Sequence, residues 1–230
     1  KVSEESVFLV RMLLGIALCM LGCSDDDDQV TTTSTVPFSL TASLSPRSSD
    51  AEDTGILQGN WDANSQLAVI KTGSSGVPKS ILTRKTDSSD TFTGNLSTLV
   101  KNENEIAVFY PAAAITANSS DTLTQTLNLS GQDGTLAGIT NYDYLWAQCK
   151  AGMNETTGSS ACEMTSLVTI GKFQFTVNGG SPLNNITRIT ITATAGTLYS
   201  SAVMKLKNGE FSSTQTGNIT IKNKAGISGT

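Results

Sequence analysis

Apolar and polar residues alternate with a period of two along much of this chain. Phe38, Leu40, Ala42 and Leu44 are separated by Ser39, Thr41 and Ser43, so an extended segment over Val36–Leu44 carries one apolar face. The same alternation runs through Leu123, Gln125, Leu127 and Leu129, and through Ile189, Ile191 and Ala193. It also predicts one long strand whose face is Leu167, Thr169, Gly171, Phe173, Phe175 and Val177. Short continuous apolar runs at Leu67–Ile70 and Ile106–Tyr110 predict buried strands, and Pro111 stops the second. Weaker strands are expected at Phe92–Leu96, Tyr142–Ala147, Ala202–Leu206, Phe211 and Ile219–Ile221, with a turn cluster at Asn178-Gly179-Gly180-Ser181-Pro182. Many short strands without a sustained 3.6-residue period predict an all-β domain. An antiparallel sandwich is expected rather than a barrel, because some strands read as wholly buried while others are half-exposed.

Composition sharpens this. Charged residues make up 15% of the 230 positions and the formal net charge is −5. Ser and Thr supply the missing polarity, at roughly a quarter of the chain. The acidic balance argues against nucleic acid as a partner. There is no histidine. That removes the usual general base, the commonest metal ligand and the middle member of Ser-His-Asp and Cys-His machinery. No enzyme activity, cofactor or metal is expected.

The first residues read as an address. Met12 to Gly22 is a continuous apolar run behind Arg11, too short to span a bilayer but the length of a signal-peptide core. It ends in Met20-Leu21-Gly22-Cys23, which resembles the lipobox of bacterial lipoproteins. The resemblance implies cleavage before Cys23 and a diacylglycerol on its thiol, anchoring the chain in the outer membrane. Residues 1–22 are then a signal peptide. Residues 23–35, with Asp25 to Asp28 and the threonines after them, form an acidic tether, since four adjacent carboxylates cannot be buried together. Acidic residues just behind the lipidated cysteine resemble those of lipoproteins displayed on the surface of Bacteroides-type bacteria.

Cys19 lies in the signal segment and Cys23 is the lipid site, which leaves Cys149 and Cys162 as an even pair. In an oxidising compartment a disulfide is expected between them, across a stretch that reads as a loop. Closing a loop of that size is worth about 3 kcal/mol in the chain-entropy model.

Several segments together resemble the fimbrillin-like pilins of Bacteroidetes, the Mfa-like and FimA-like lipoproteins. They are the tryptophan-led turn Trp61-Asp62-Ala63-Asn64-Ser65-Gln66-Leu67-Ala68-Val69, the strand end Ala107-Val108-Phe109-Tyr110-Pro111, and Gln132-Asp133-Gly134-Thr135-Leu136 followed by Tyr142-Asp143-Tyr144-Leu145-Trp146-Ala147. Asn64-Ser65 stands where the family usually has Gly-Asp. The resemblance covers about Val36 to Ala195. It implies a transthyretin-like β-sandwich over residues 36–195, with residues 196–230 as the start of a second β domain or a C-terminal extension. It also implies a cell-surface fimbrial subunit or fimbria-associated adhesin. In such a subunit a trypsin-like protease removes the first strand, and a strand from another pilin subunit replaces it. Here that strand is Val36–Leu44, with Phe38, Leu40, Ala42 and Leu44 inward. The cut falls between Arg47 and Ser48, in the small-residue segment Ser45-Pro46-Arg47-Ser48-Ser49, which reads as exposed. A host protein or glycan is the partner expected of an adhesin.

Other features weigh less. Asp121-Thr122-Leu123 resembles the O-glycosylation sequon of exported Bacteroides proteins, with Thr122 as acceptor. Asp50, Glu52 and Asp53 read as a solvated loop. Trp61 and Trp146 could serve as sugar platforms but fit a core better. The rival function is a non-polymerising surface carbohydrate-binding lipoprotein, which needs exposed aromatics on one sheet face.

Overall fold

The structure, a computed structural model, describes residues 34–47, 55–73, 76–115, 124–135, 137–171 and 186–227. All of them fall in one compact unit, Ser34–Thr230. Cys23, Ser48, Thr122, the cluster of Asp50, Glu52 and Asp53, and the span from Phe173 to Val177 lie outside the described residues.

The described residues are all-β. Alternation makes β1 (Thr35–Leu44), the apolar runs make β2 (Gln66–Lys71) and β5 (Glu105–Tyr110), and β3 (Ser80–Arg84) and β4 (Thr91–Ser97) form a hairpin between them. The chain continues through β6 (Thr124–Asn128), β7 (Leu145–Lys150), β8 (Gly152–Met153) and β9 (Gly158–Ser166). It ends with β10 (Ile186–Ile191), β11 (Tyr199–Lys205), β12 (Phe211–Thr216) and β13 (Ile219–Ile227). Among the described residues no helix is long and apolar enough to cross a membrane.

The first sheet differs from the open antiparallel sandwich that the sequence predicts. Its order is β1-β4-β3-β2-β5-β7-β9, and β9 returns to pair with β1, so seven strands close into a barrel. β1 is antiparallel to β4 but parallel to β9, from Phe38↔Gly158 to Leu44↔Met164. Over Phe38–Thr41 the closing strand is therefore paired on both backbone edges.

β8 and β9 occupy the stretch expected to be a loop between the two cysteines. Asn154 makes the turn: its Oδ1 accepts from the backbone N–H groups of Thr156 and Thr157 at 2.9 and 2.7 Å. Beyond Ser166, the described residues Leu167 to Gly171 are irregular, not part of the long strand expected there. The Ser-rich β9 has little apolar alternation, and its strand form follows from pairing with β1, β7 and β8.

The barrel interior is packed from β1 outward. Phe38, Leu40 and Ala42 are buried, with Leu44 partly so, against Leu67, Val69, Leu82, Phe92, Ile106, Val108 and Leu145. The opposite face of β2 and β5, with Ala68, Ile70 and Phe109, is also buried, beneath Leu127 of β6 and Met204 and Leu206 of the β11 region. That is why these two runs are apolar without alternation. β6 and β11 pair with each other and β11 with β12, while β10 and β13 form a separate ribbon. A strand from the 196–230 stretch thus shares a sheet with residues 124–128.

One row across the barrel fixes where β1 sits. Leu82, Gly94, Phe38, Gly158 and Met153 are register neighbours on β3, β4, β1, β9 and β8. Large and absent side chains alternate along it. A Cβ on Gly158 would fall 2.3 Å from Met153 Sδ and 2.7 Å from Phe38 Cδ2, and one on Gly94 would fall 2.6 Å from the Ile81 carbonyl oxygen and 2.8 Å from Leu82 Cδ2. Gly158→Ala is expected to lower the thermal midpoint through overpacking worth about 1–3 kcal/mol. Phe38→Leu in the same chain should recover part of that loss; thermal unfolding of the two single variants and the double variant checks the coupling, and strict additivity would contradict it.

Candidate functional site

The candidate site is the seam where β1 completes the barrel. Trp61 arrives from the turn before β2 and is buried, so it is no surface platform. Its indole Nε1 donates to the Ala42 carbonyl of β1 at 2.7 Å. Its ring meets Phe92 and Tyr110 edge-on, with centroids 5.0 and 5.2 Å apart. Burial among these rings pushes the Tyr110 hydroxyl up to about 12. Trp146 is half-buried against the second core and donates from Nε1 to the Leu206 carbonyl at 3.1 Å. Among the described residues the large exposed aromatics, Tyr199 and Phe211, sit at opposite ends of the β11–β12 register and share no platform. The residues placed for sugar stacking by sequence are thus committed to cores and backbone bonds.

At its C-terminal end β1 runs on to Arg47, which the sequence places in an exposed segment. The structure corrects this. The guanidinium grips both carboxylate oxygens of Asp143 through Nη1 and Nη2, and Nη1 also donates to Ser166 Oγ at 3.1 Å. Ser166 Oγ donates in turn to the Val168 carbonyl at 2.7 Å. The Arg47 side chain is 19% exposed and that of Asp143 is 0% exposed. The Arg47 backbone N–H is held as well, by the Leu57 carbonyl at 2.8 Å. A bidentate pair of this kind is among the stronger polar contacts, and removing one partner would strand a buried charge. Sequence reading meets Asp143 only as part of a matched segment. A lone Asp between two tyrosines gives no sign that its partner lies 96 positions upstream.

Cys149 and Cys162 are free thiols in this structure, not the disulfide that the sequence predicts. They are nevertheless brought together. Trp146↔Thr165 and Gly152↔Ser159 belong to one register, which sets Cys149 opposite Cys162 with both packed against the barrel interior. Across the seam Cys162 is the register partner of Ala42. A hydrogen bond from the Cys162 thiol, aided by the Ser160 hydroxyl 3.2 Å away, lowers Cys149 to about 7 against the opposing effect of burial. Cys162 is pushed up because it keeps its proton for that bond and is itself buried. The soft neighbour Met164 lies with Sδ 3.9 Å from Cys162 Sγ.

Elsewhere the chemistry is sparse. Asp133 is held low by the N–H and hydroxyl of Thr135 in an exposed turn. Among the described residues no group of three His, Cys, Asp or Glu side chains is placed to hold a metal.

No family model matches the chain, and no curated protein matches it. Among solved structures, one described as a "putative cell adhesion protein" from Bacteroides ovatus ATCC 8483 aligns at 13% identity with a TM-score of 0.45, over 85% of this chain and 76% of that one.

The thiol pair gives a pH-dependent expectation. In the reduced protein, alkylation of Cys149 should rise through a midpoint near pH 7, while Cys162 stays slow until the barrel unfolds. Mass mapping of the alkylated peptides across pH checks this; equal labelling of both from pH 8.5 upward only would contradict it.

Proposed function

We propose that the chain is a subunit of a cell-surface fimbria or a fimbria-associated adhesin, delivered as a lipoprotein and assembled by exchange of its first strand. The observation that carries this reading is the position of β1. One strand closes the barrel, supplies Phe38, Leu40 and Ala42 to its core, and is followed within three residues by Arg47. Its loss would open a slot between β4 and β9 with two unpaired edges and an apolar floor. Another extended strand of alternating pattern is the occupant such a slot admits.

The address fits this use. The resemblance of Met20-Leu21-Gly22-Cys23 to a lipobox and the acidic stretch behind it support display at the outer membrane. On this reading the barrel serves as the N-terminal unit of a pilin-like subunit, and a cut after Arg47 breaks its covalent link to the lipid. The contact between subunits is head-to-tail, which builds an open filament. Acting as a carbohydrate-binding lipoprotein is the weaker reading, because Trp61 and Trp146 are spent internally and Tyr199 and Phe211 stand apart.

The test is the state of the protein on the cell. The precursor should take up a palmitate analogue and lose it in a Cys23→Ala variant, and surface protein should begin at Ser48 by N-terminal sequencing. Surface chains that all begin at Cys23 would contradict assembly by strand removal.

A further inference from the structure

We propose that the Arg47–Asp143 ion pair is a latch: it withholds the Arg47–Ser48 peptide bond from an arginine-specific protease, and it keeps β1 seated after that bond is cut. The inference rests on the proposed maturation at Arg47 and adds to it the residue that controls it.

A trypsin-like protease draws its target arginine into a deep pocket with a carboxylate at the base, and it needs the neighbouring backbone free to pair with its own. In the intact chain both requirements are already used internally. The guanidinium is bound two-to-two by Asp143, with Ser166 on one of the same nitrogens. The backbone N–H of Arg47 is bound by Leu57. Asp143 sits on the short link before β7 and Ser166 ends β9, so the clamp joins the tail of β1 to both strands of the hairpin beside it. The Asp143 carboxylate has no solvent contact, and lifting Arg47 away leaves it uncompensated. The protease therefore meets Arg47 only in the fraction of molecules where this end of β1 has opened, and cleavage follows that population.

The same contacts bear on what happens next. Hydrolysis adds water across the amide, leaving a carboxylate on Arg47 and an amine on Ser48. It breaks none of the seven register pairs of β1 with β4, none of the seven with β9, and not the ion pair. The cut chain stays assembled as two pieces until another strand displaces the first.

The experiment is limited digestion of the folded full chain with trypsin, read by timed N-terminal sequencing. Wild type is compared with Asp143→Asn and Arg47→Lys. Asp143→Asn keeps the shape but removes the counter-charge. Arg47→Lys keeps a cation for Asp143 but loses the fork, and trypsin still accepts it. Both variants should yield Ser48 termini about tenfold faster than wild type, the factor that goes with losing one charge-assisted hydrogen bond. Cleavage after Arg84 in β3 and Arg188 in β10 should be unchanged, and the wild-type pieces should co-elute in size-exclusion chromatography. Ser48 termini appearing at equal or lower rates in both variants would overturn the latch alone. So would Arg84 and Arg188 accelerating in step with Ser48, which means global opening. Chains cut after Arg84 and Arg188 but never before Ser48 would instead overturn maturation at Arg47.

Discussion

The barrel depends on a strand that must be captured from far along the chain. β1 pairs with β4 from 50 to 62 residues ahead and with β9 120 residues ahead, the second time in parallel. Neither contact can form early, since loop closure precedes any reward from pairing. The reward, once obtained, is large: each buried Phe or Leu removed from water is worth about 1.5–3 kcal/mol. Phe38 helps to fix the position, because its register partner Gly158 leaves the space beside its ring free of a side chain. A one-residue slip would turn the apolar face outward, and a two-residue slip would drive Phe38 against Phe92 and Ser160.

Around that strand stand contacts of different chemistry. Trp61 holds the C-terminal part of β1 by a hydrogen bond to Ala42, with its ring against Phe92. Asp143 and Ser166 hold its tail through Arg47. Cys149 and Cys162 face each other on the hairpin beside the seam. The first two contacts act on β1 itself; the third acts only on its neighbours. Both contacts on β1 are non-covalent, which is what the proposed exchange requires.

Much of the fold is legible in the sequence wherever a strand has one dry face or two. Val36–Leu44, Leu67–Ile70 and Ile106–Tyr110 announce themselves by alternation or by an unbroken apolar run, and all are strands within a residue or so of the expected ends. β9 is hidden because Gly158-Ser159-Ser160-Ala161 carries no apolar pattern; neighbours impose its conformation. β3 is hidden because only Leu82 of its five residues is buried. The closure of the sheet is hidden for the same reason, since parallel pairing at long separation leaves no local trace. At the seam, the inward face of β1 can be read directly. The clamp on Arg47 cannot, because small residues around an arginine look alike whether the arginine is free or bound to a buried carboxylate.

The central claim is that β1 is a separable closing strand, and native-state hydrogen exchange of the intact chain tests it most directly. The account predicts that the amides of β1 and their partners in β4 and β9 open together, in a step of lower free energy than the one that exposes β2, β5 and β7. Exchange of all these strands in a single global unfolding step would contradict it.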